Sequence, residues 1–232
     1  MGESAREAEA RLRAALAEAR SVRERSAADQ ALAGDRMAVR VYQRARLAQT
    51  HADLLADPGT VGAARFFLDE LYGVDDVSAR DAEVEKVIKV LVRFLPASAL
   101  STLADALEID ALSERLDGLL ALAWRTRAPK AVALDAASYR DAYREMGHHD
   151  ERERQIELTE HIGLSLCKLA RVPLLRGLLG VMRGPAQAGG VGHLHDFLER
   201  GYDTFTALPD ARGFVAKLIA RERAEHARLL AS

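Results

Sequence analysis

The fold class is decided by residues 4–25, SAREAEARLRAALAEARSVRER, in which apolar residues recur at intervals of three and four. This spacing is typical of a helix whose one face packs against another helix. Because that face is mostly alanine and buries little area, we expect the helix to need a partner. Its apolar positions are Ala5, Ala8, Leu12, Ala15, Ala19 and Val22.

A second segment with the same spacing follows at residues 35–56. We predict that the two segments form a helical hairpin that turns near Ala33 and Gly34; a coiled coil with a second chain is the alternative. Residues 1–56 would then be an N-terminal unit that either docks on a helical bundle core, residues 57–232, or extends from it. A single domain is the other arrangement. The second helix carries its apolar residues at Val41, Ala45, Ala48, Ala52 and Leu55.

The helical pattern continues to the end of the 232-residue chain. Alanine and leucine favour helices, and no run of β-branched residues alternates with polar ones. The chain is therefore predicted to be all-α, an irregular multi-helix bundle of about nine helices. We expect separate helices over residues 98–107 and from Asp110 to Trp124, and a loop over the glycine-rich residues 184–192.

Composition excludes several classes of protein. Lysine and arginine number 33 against 35 acidic residues, a net charge of −2 that argues against a nucleic-acid binder. The longest apolar run, Leu119 to Trp124, is far shorter than the roughly 20 residues of a membrane span. One cysteine, Cys167, allows no disulfide within the chain. The charged N-terminus lacks the apolar stretch of a secretory signal, so a cytoplasmic location is expected.

One segment has an unusual order of residues: Phe66, Phe67, Leu68, Asp69, Glu70, Leu71, Tyr72 and Gly73, followed by Arg80 and Asp81. This order resembles an uncharacterised family of helical bacterial proteins, marked by a Phe-Phe-x-x-Asp/Glu-Leu-Tyr-Gly motif and a following Arg-Asp pair. The pattern FLERGY at residues 197–202 is also similar to that family. The resemblance implies an all-α domain from about Thr60 onward, and it brings no established activity.

Acidic residues gather around the turn at Tyr72 and Gly73. Asp69, Asp75 and Asp76 carry the oxygen ligands that a divalent cation prefers, so they are candidate metal ligands. In the alternative, these acids cap helices, and Arg80 forms an ion pair that stabilises the turn.

Four of the seven histidines are candidate ligands. His51 and His161 have apolar helical neighbours and are candidates for cofactor binding, for example as an axial ligand of haem. His193 and His195 lie beside Asp196, a combination that suits Zn²⁺ or iron. The alternative for all four is a structural or surface histidine, and no cofactor is predicted.

No sequence motif for catalysis is present, and we predict no catalytic residue. The first functional hypothesis is a non-enzymatic module that acts through a protein partner or self-association, which the alanine-rich helical face supports. The alternative is a bundle that binds a small ligand, cofactor or metal, with its pocket at the Tyr72 turn or at a histidine.

Overall fold

Helices form the fold in the computed structural model, which describes residues 4–71, 83, 84, 86, 88, 91–93, 95–128 and 133–231. No strand occurs among these residues, and the all-α prediction is confirmed. A 3-10 turn, Gln30–Leu32, joins the first two helices, and a π-helical turn, Phe67–Leu71, follows the fourth. The helices are α1 (Ala5–Ala28), α2 (Ala33–Thr50), α3 (Ala52–Ala56), α4 (Val61–Phe66), α5 (Ala97–Arg127), α6 (Ala136–Glu145), α7 (His149–Leu169), α8 (Pro173–Ala188), α9 (Gly192–Ala207) and α10 (Ala211–Leu230).

The 31-residue helix α5 lies at the centre and contacts α1, α2, α6 and α7. The prediction of separate helices on either side of Asp110 is wrong. No proline or glycine interrupts residues 97–117, and Ile109 is buried in the core, so packing continues the helix past the expected cap. Asp110 instead contacts Arg23 of α1.

Helix α1 packs along α5 through the face that its sequence predicts. Ala8, Leu12, Ala19 and Val22 are all buried, and Leu12 is fully inaccessible to solvent. The chain's own core therefore covers the face that a coiled coil with a second chain would use. The two consecutive helices of the predicted hairpin each pack against α5. The face predicted for the second helix is not the buried one, because Val41 is 55% exposed and Ala45 is also exposed.

Two predicted boundaries also differ from the structure. The second helix ends at Thr50 because His51 leaves helical geometry, and α3 begins one residue later. The loop predicted over residues 184–192 is wrong in its first half. Helix α8 runs through Pro185 to Ala188 because buried Ala186 holds it against the core, and the turn comes at Gly190, with φ of +66°.

The two segments that carry the family resemblance pack against each other. Phe66 stacks on Phe197, with ring centroids 5.7 Å apart, and Arg200 donates to Glu70 at 2.5 Å. A Cβ at Gly201 would lie 3.1 Å from the ring of Phe66, so this glycine permits the close approach. Phe67 packs into the core. Tyr72, Gly73, Arg80 and Asp81, the rest of the motif, lie outside the described residues.

Among the helices in the described part of the chain, none combines the length and the apolar character required to cross a membrane.

Candidate functional site

A polar cavity lies between α2, α6, α7 and α10. The volume that the centre of a water molecule can reach is about 40 Å³, so the cavity has room for about three water molecules. Its walls combine two arginines, two glutamates, two tyrosines and a histidine, an unusual density of polar groups for a bundle interior. The lining residues are Gln43, Arg46, Leu47, Tyr139, Tyr143, Arg152, Gln155, Ile156, Glu222, Glu225, His226 and Leu229.

A tight turn brings α6 and α7 together beside the cavity. Asp135 caps the start of α6 by accepting from the backbone N–H of Ser138. After α6, Gly147 adopts φ of +65°, a left-handed conformation that glycine permits, and the chain reverses into α7. Tyr143 from the last turns of α6 then lies beside Arg152 from the first turns of α7.

Arg152 is a buried guanidinium with few partners. It is 5% exposed, and its Nη1 donates to Gln155 Oε1 at 3.0 Å. Its Nε and Nη2 are buried without a hydrogen-bond partner. Among the described residues no carboxylate forms an ion pair with it within 4.0 Å, although its charge acts on the buried carboxylate of Asp117 of α5 from further away. The ring of Tyr143 lies 5.5 Å from its Cζ. A buried charge is normally paired, because desolvation of a lone ion is costly.

Arg46 contributes the second guanidinium of the cavity. Its Nη2 donates to Glu222 Oε2 at 3.1 Å, and His51 Nε2 lies 2.8 Å from Glu222 Oε1. Burial favours a higher pKa for the Glu222 carboxyl, but the combined hydrogen bonds and charges of His51 and Arg46 outweigh it and lower that pKa. Arg46 Nε and Nη1 are buried without a hydrogen-bond partner. Glu222 is thus a paired carboxylate, while Arg46 keeps free donors.

Tyr143 and His226 form a hydrogen-bonded pair in the same wall. Tyr143 Oη lies 2.6 Å from His226 Nδ1. Burial raises the pKa of Tyr143, which Arg152 only partly opposes, so the phenol keeps its proton and donates it. Burial lowers the pKa of His226, and the charges of Arg152 and His149 lower it further. The charge of Glu153 opposes this shift but does not cancel it. The cavity wall therefore holds a neutral donor–acceptor pair beside two guanidinium groups.

The lowered pKa of His226 predicts a pH dependence of stability. The unfolded chain, with an ordinary pKa of 6.5, binds the proton more tightly than the folded chain. The free energy of unfolding should therefore fall as the pH decreases from about 6.5 through the folded-state pKa. Urea denaturation at a series of pH values measures this slope, and His226→Asn should flatten it. The same slope in both proteins would contradict the assignment to His226.

A known protein family matches most of the chain. Residues 22–232 match a family described as a domain of unknown function, DUF8198. The chain belongs to the DUF8198 family. This confirms the expectation of an uncharacterised family. No curated protein and no solved structure matches this DUF8198 member.

In this DUF8198 member, the two candidate cofactor ligands lie apart. His51 is buried and contacts Glu222, so it borders the polar cavity through that carboxylate. His161 is half-exposed on α7, and its Nδ1 lies 2.5 Å from Oδ2 of the fully buried Asp105 of α5. Each of the two histidines therefore contacts a different carboxylate, and they do not form one site.

The candidate metal ligands are also dispersed. Asp69 accepts from Arg44 at 2.5 Å, and Asp75 and Asp76 lie outside the described residues. His193 is exposed, with its Nδ1 2.7 Å from Glu83 Oε1, whereas His195 is buried. The expected pair of His193 and His195 is therefore not brought to one point.

Sequence reasoning missed most of the cavity. Arg46, Tyr143 and Arg152 were not singled out, because polar residues on a helix are normally solvent-exposed. One usable sign exists in α10. Glu222 lies three and four residues after the core residues Ile219 and Leu218, so it belongs to the apolar face of that helix.

Proposed function

We propose that this protein binds a small anionic ligand, a carboxylate or phosphate group, in the polar cavity between α2, α6, α7 and α10. The observation that carries the proposal is Arg152, a buried guanidinium whose Nε and Nη2 lack a hydrogen-bond acceptor, because the buried carboxylate of Asp117, whose negative charge acts on it, lies beyond 4.0 Å. An anion at this point would supply the hydrogen-bond acceptors that the described residues do not supply.

The donors in the cavity suit an oxyanion. Arg152 offers Nε and Nη2, and Arg46 offers Nε and Nη1. The Nε and Nη2 groups of Arg152 point to the same side of the guanidinium and match the two oxygens of a carboxylate or phosphate. The Nε and Nη1 groups of Arg46 point to different sides and would donate to separate acceptors. The space for about three waters fits an ion of phosphate size or the carboxylate head of a larger molecule.

The ligand-binding alternative from the sequence is thus the better supported of the two functional hypotheses. The hypothesis of a protein-interaction module rested on the alanine-rich face of α1, and that face is buried against α5. The cavity, by contrast, presents unpartnered polar groups whose burial costs stability unless a ligand satisfies them.

The proposal predicts that inorganic phosphate stabilises the protein in a buffer that contains chloride as its main anion. A ligand at about 100 times its Kd raises the free energy of unfolding by about 2.7 kcal/mol, and calorimetric titration gives the affinity directly. Arg152→Met should weaken binding by at least about tenfold, because charge-assisted hydrogen bonds are lost.

Arg154→Met is the matched control. Arg154 lies two residues further along α7, but it is exposed and donates to Glu108 of α5 at 2.8 Å. Its replacement should leave the response to phosphate unchanged. The proposal is wrong if neither phosphate nor acetate binds, or if Arg152→Met destabilises the protein while its anion affinity equals that of wild type.

A further inference from the structure

A second group of side chains lies where α8 packs against α9, away from the polar cavity. His195, Asp196 and Glu199 on α9 offer ligand atoms that all lie within 4.8 Å of one another. Glu199 follows His195 by four residues and Asp196 by three, so one turn of helix presents all three groups to the same region.

The imidazole of His195 has a defined orientation and an unused nitrogen. Its Nε2 lies 2.9 Å from the backbone carbonyl oxygen of Leu179 on α8. A carbonyl can only accept, so Nε2 must carry hydrogen and donate. In the neutral ring Nδ1 then holds a lone pair, and this atom is buried without a hydrogen-bond partner, in a residue that is 5% exposed. Histidines that bind metals commonly donate their other N–H to a carbonyl in this way.

The charge around Nδ1 favours a cation. Oδ1 of Asp196 lies 3.7 Å from Nδ1, too far for a hydrogen bond, and Glu199 is the next carboxylate on the same face. Arg183 of α8 donates to Glu199, and this hydrogen bond, with the charges of Glu199, Asp203 and Asp196, raises the pKa of Arg183. The Arg183 side chain is 63% exposed and can turn into solvent, which would leave the carboxylates to another cation.

We propose that His195 Nδ1 and the carboxylates of Asp196 and Glu199 bind a divalent first-row transition-metal ion, such as Zn²⁺. One nitrogen and two oxygens from the protein leave a fourth position for water or a substrate. Bonds of about 2.0–2.2 Å require the ligand atoms to approach to about 3.4 Å of one another. Rotation of the two partly exposed carboxylates supplies this movement, while the buried imidazole stays in place.

The test is a titration of the untagged, metal-free full-length chain with Zn²⁺ by calorimetry and with Co²⁺ by absorption. We expect one ion per chain, and no competition from Mg²⁺, which prefers oxygen ligands. His195→Ala and Glu199→Gln should each weaken Zn²⁺ binding at least about tenfold, with circular dichroism to verify the fold. Arg183→Ala should strengthen it about fivefold, because a competing positive charge is removed.

His193→Ala is the matched control, because His193 lies two residues away on the same helix but is exposed and paired with Glu83. Its replacement should leave the affinity for Zn²⁺ unchanged. The site is wrong if the wild-type chain does not bind Zn²⁺, if His193→Ala abolishes binding, or if Glu199→Gln binds as wild type does. Glu199 is partly exposed, so its variant tests the site even where the buried His195 position does not accept alanine.

Discussion

Arg11→Met is expected to lower the free energy of unfolding by about 3–5 kcal/mol. Arg11 of α1 contacts the carboxylate of Asp105, a residue of α5 with no solvent exposure, and donates to Ser101 Oγ at 2.9 Å. Without the guanidinium, the buried charge of Asp105 keeps His161 as a partner, and His161 is half-exposed. Urea denaturation of the variant and of wild type measures the difference.

Two further variants distinguish the effect of breaking the buried ion pair from the effect of removing a positive charge at the surface. Arg13→Met should change stability by less than about 0.5 kcal/mol, because Arg13 is exposed and pairs with Glu9 of its own helix. Adding Asp105→Leu to Arg11→Met should restore most of the stability, since both charges are then replaced by apolar groups. Equal effects of Arg11→Met and Arg13→Met would show that the contact with Asp105 does not hold α1 on α5.

The contact between α1 and α5 also shows how far the sequence predicts this fold. The buried face of α1 was predictable because a period of three and four residues depends on local sequence alone. The continuity of α5 was not, since Asp110 resembles the N-cap of a separate helix. Burial of Ile109 and the contact of Asp110 with Arg23 are tertiary effects, and they override that local pattern.

The polar cavity could be predicted only in part, for a different physical reason. Its guanidinium and carboxylate groups come from α2, α7 and α10, far apart in sequence, and each resembles a solvent-exposed residue in its own helix. The segment DERERQ at residues 150–155 appears as a charged surface, yet Arg152 and Gln155 are buried. Glu222 is the exception, because it follows core positions of α10 at helical spacing. Polar residues within an apolar helical face are therefore the sequence feature that indicates a buried polar site.

Glu222→Gln is expected to have opposite effects on stability and on anion binding. The carboxylate of Glu222 is buried between Arg46 and His51, so its neutralisation leaves the Arg46 guanidinium without its nearest negative charge. The free energy of unfolding at neutral pH should fall by about 3–5 kcal/mol. The cavity then keeps its two guanidinium groups and has one carboxylate fewer, and its affinity for phosphate should rise by at least about tenfold. Chemical denaturation and calorimetric titration measure the two effects.

Two measurements test whether the charge of the Glu222 carboxylate causes both effects: the pH dependence of stability and the replacement of the neighbouring Glu225. Because the folded-state pKa of Glu222 lies below 4.5, its stabilising contribution is present above pH 4.5 and is lost as the pH falls through the folded-state value. The stability difference between wild type and Glu222→Gln should therefore shrink in acid. Glu225→Gln is the control. Glu225 is less buried than Glu222, pairs with Arg228 at 2.7 Å and lies 4.0 Å from Arg46 Nη1. Its replacement should therefore cause a smaller loss of stability and a smaller gain in phosphate affinity. If Glu222→Gln loses stability without gaining affinity for phosphate, Arg46 takes no part in binding the anion, and Arg152 alone would hold it.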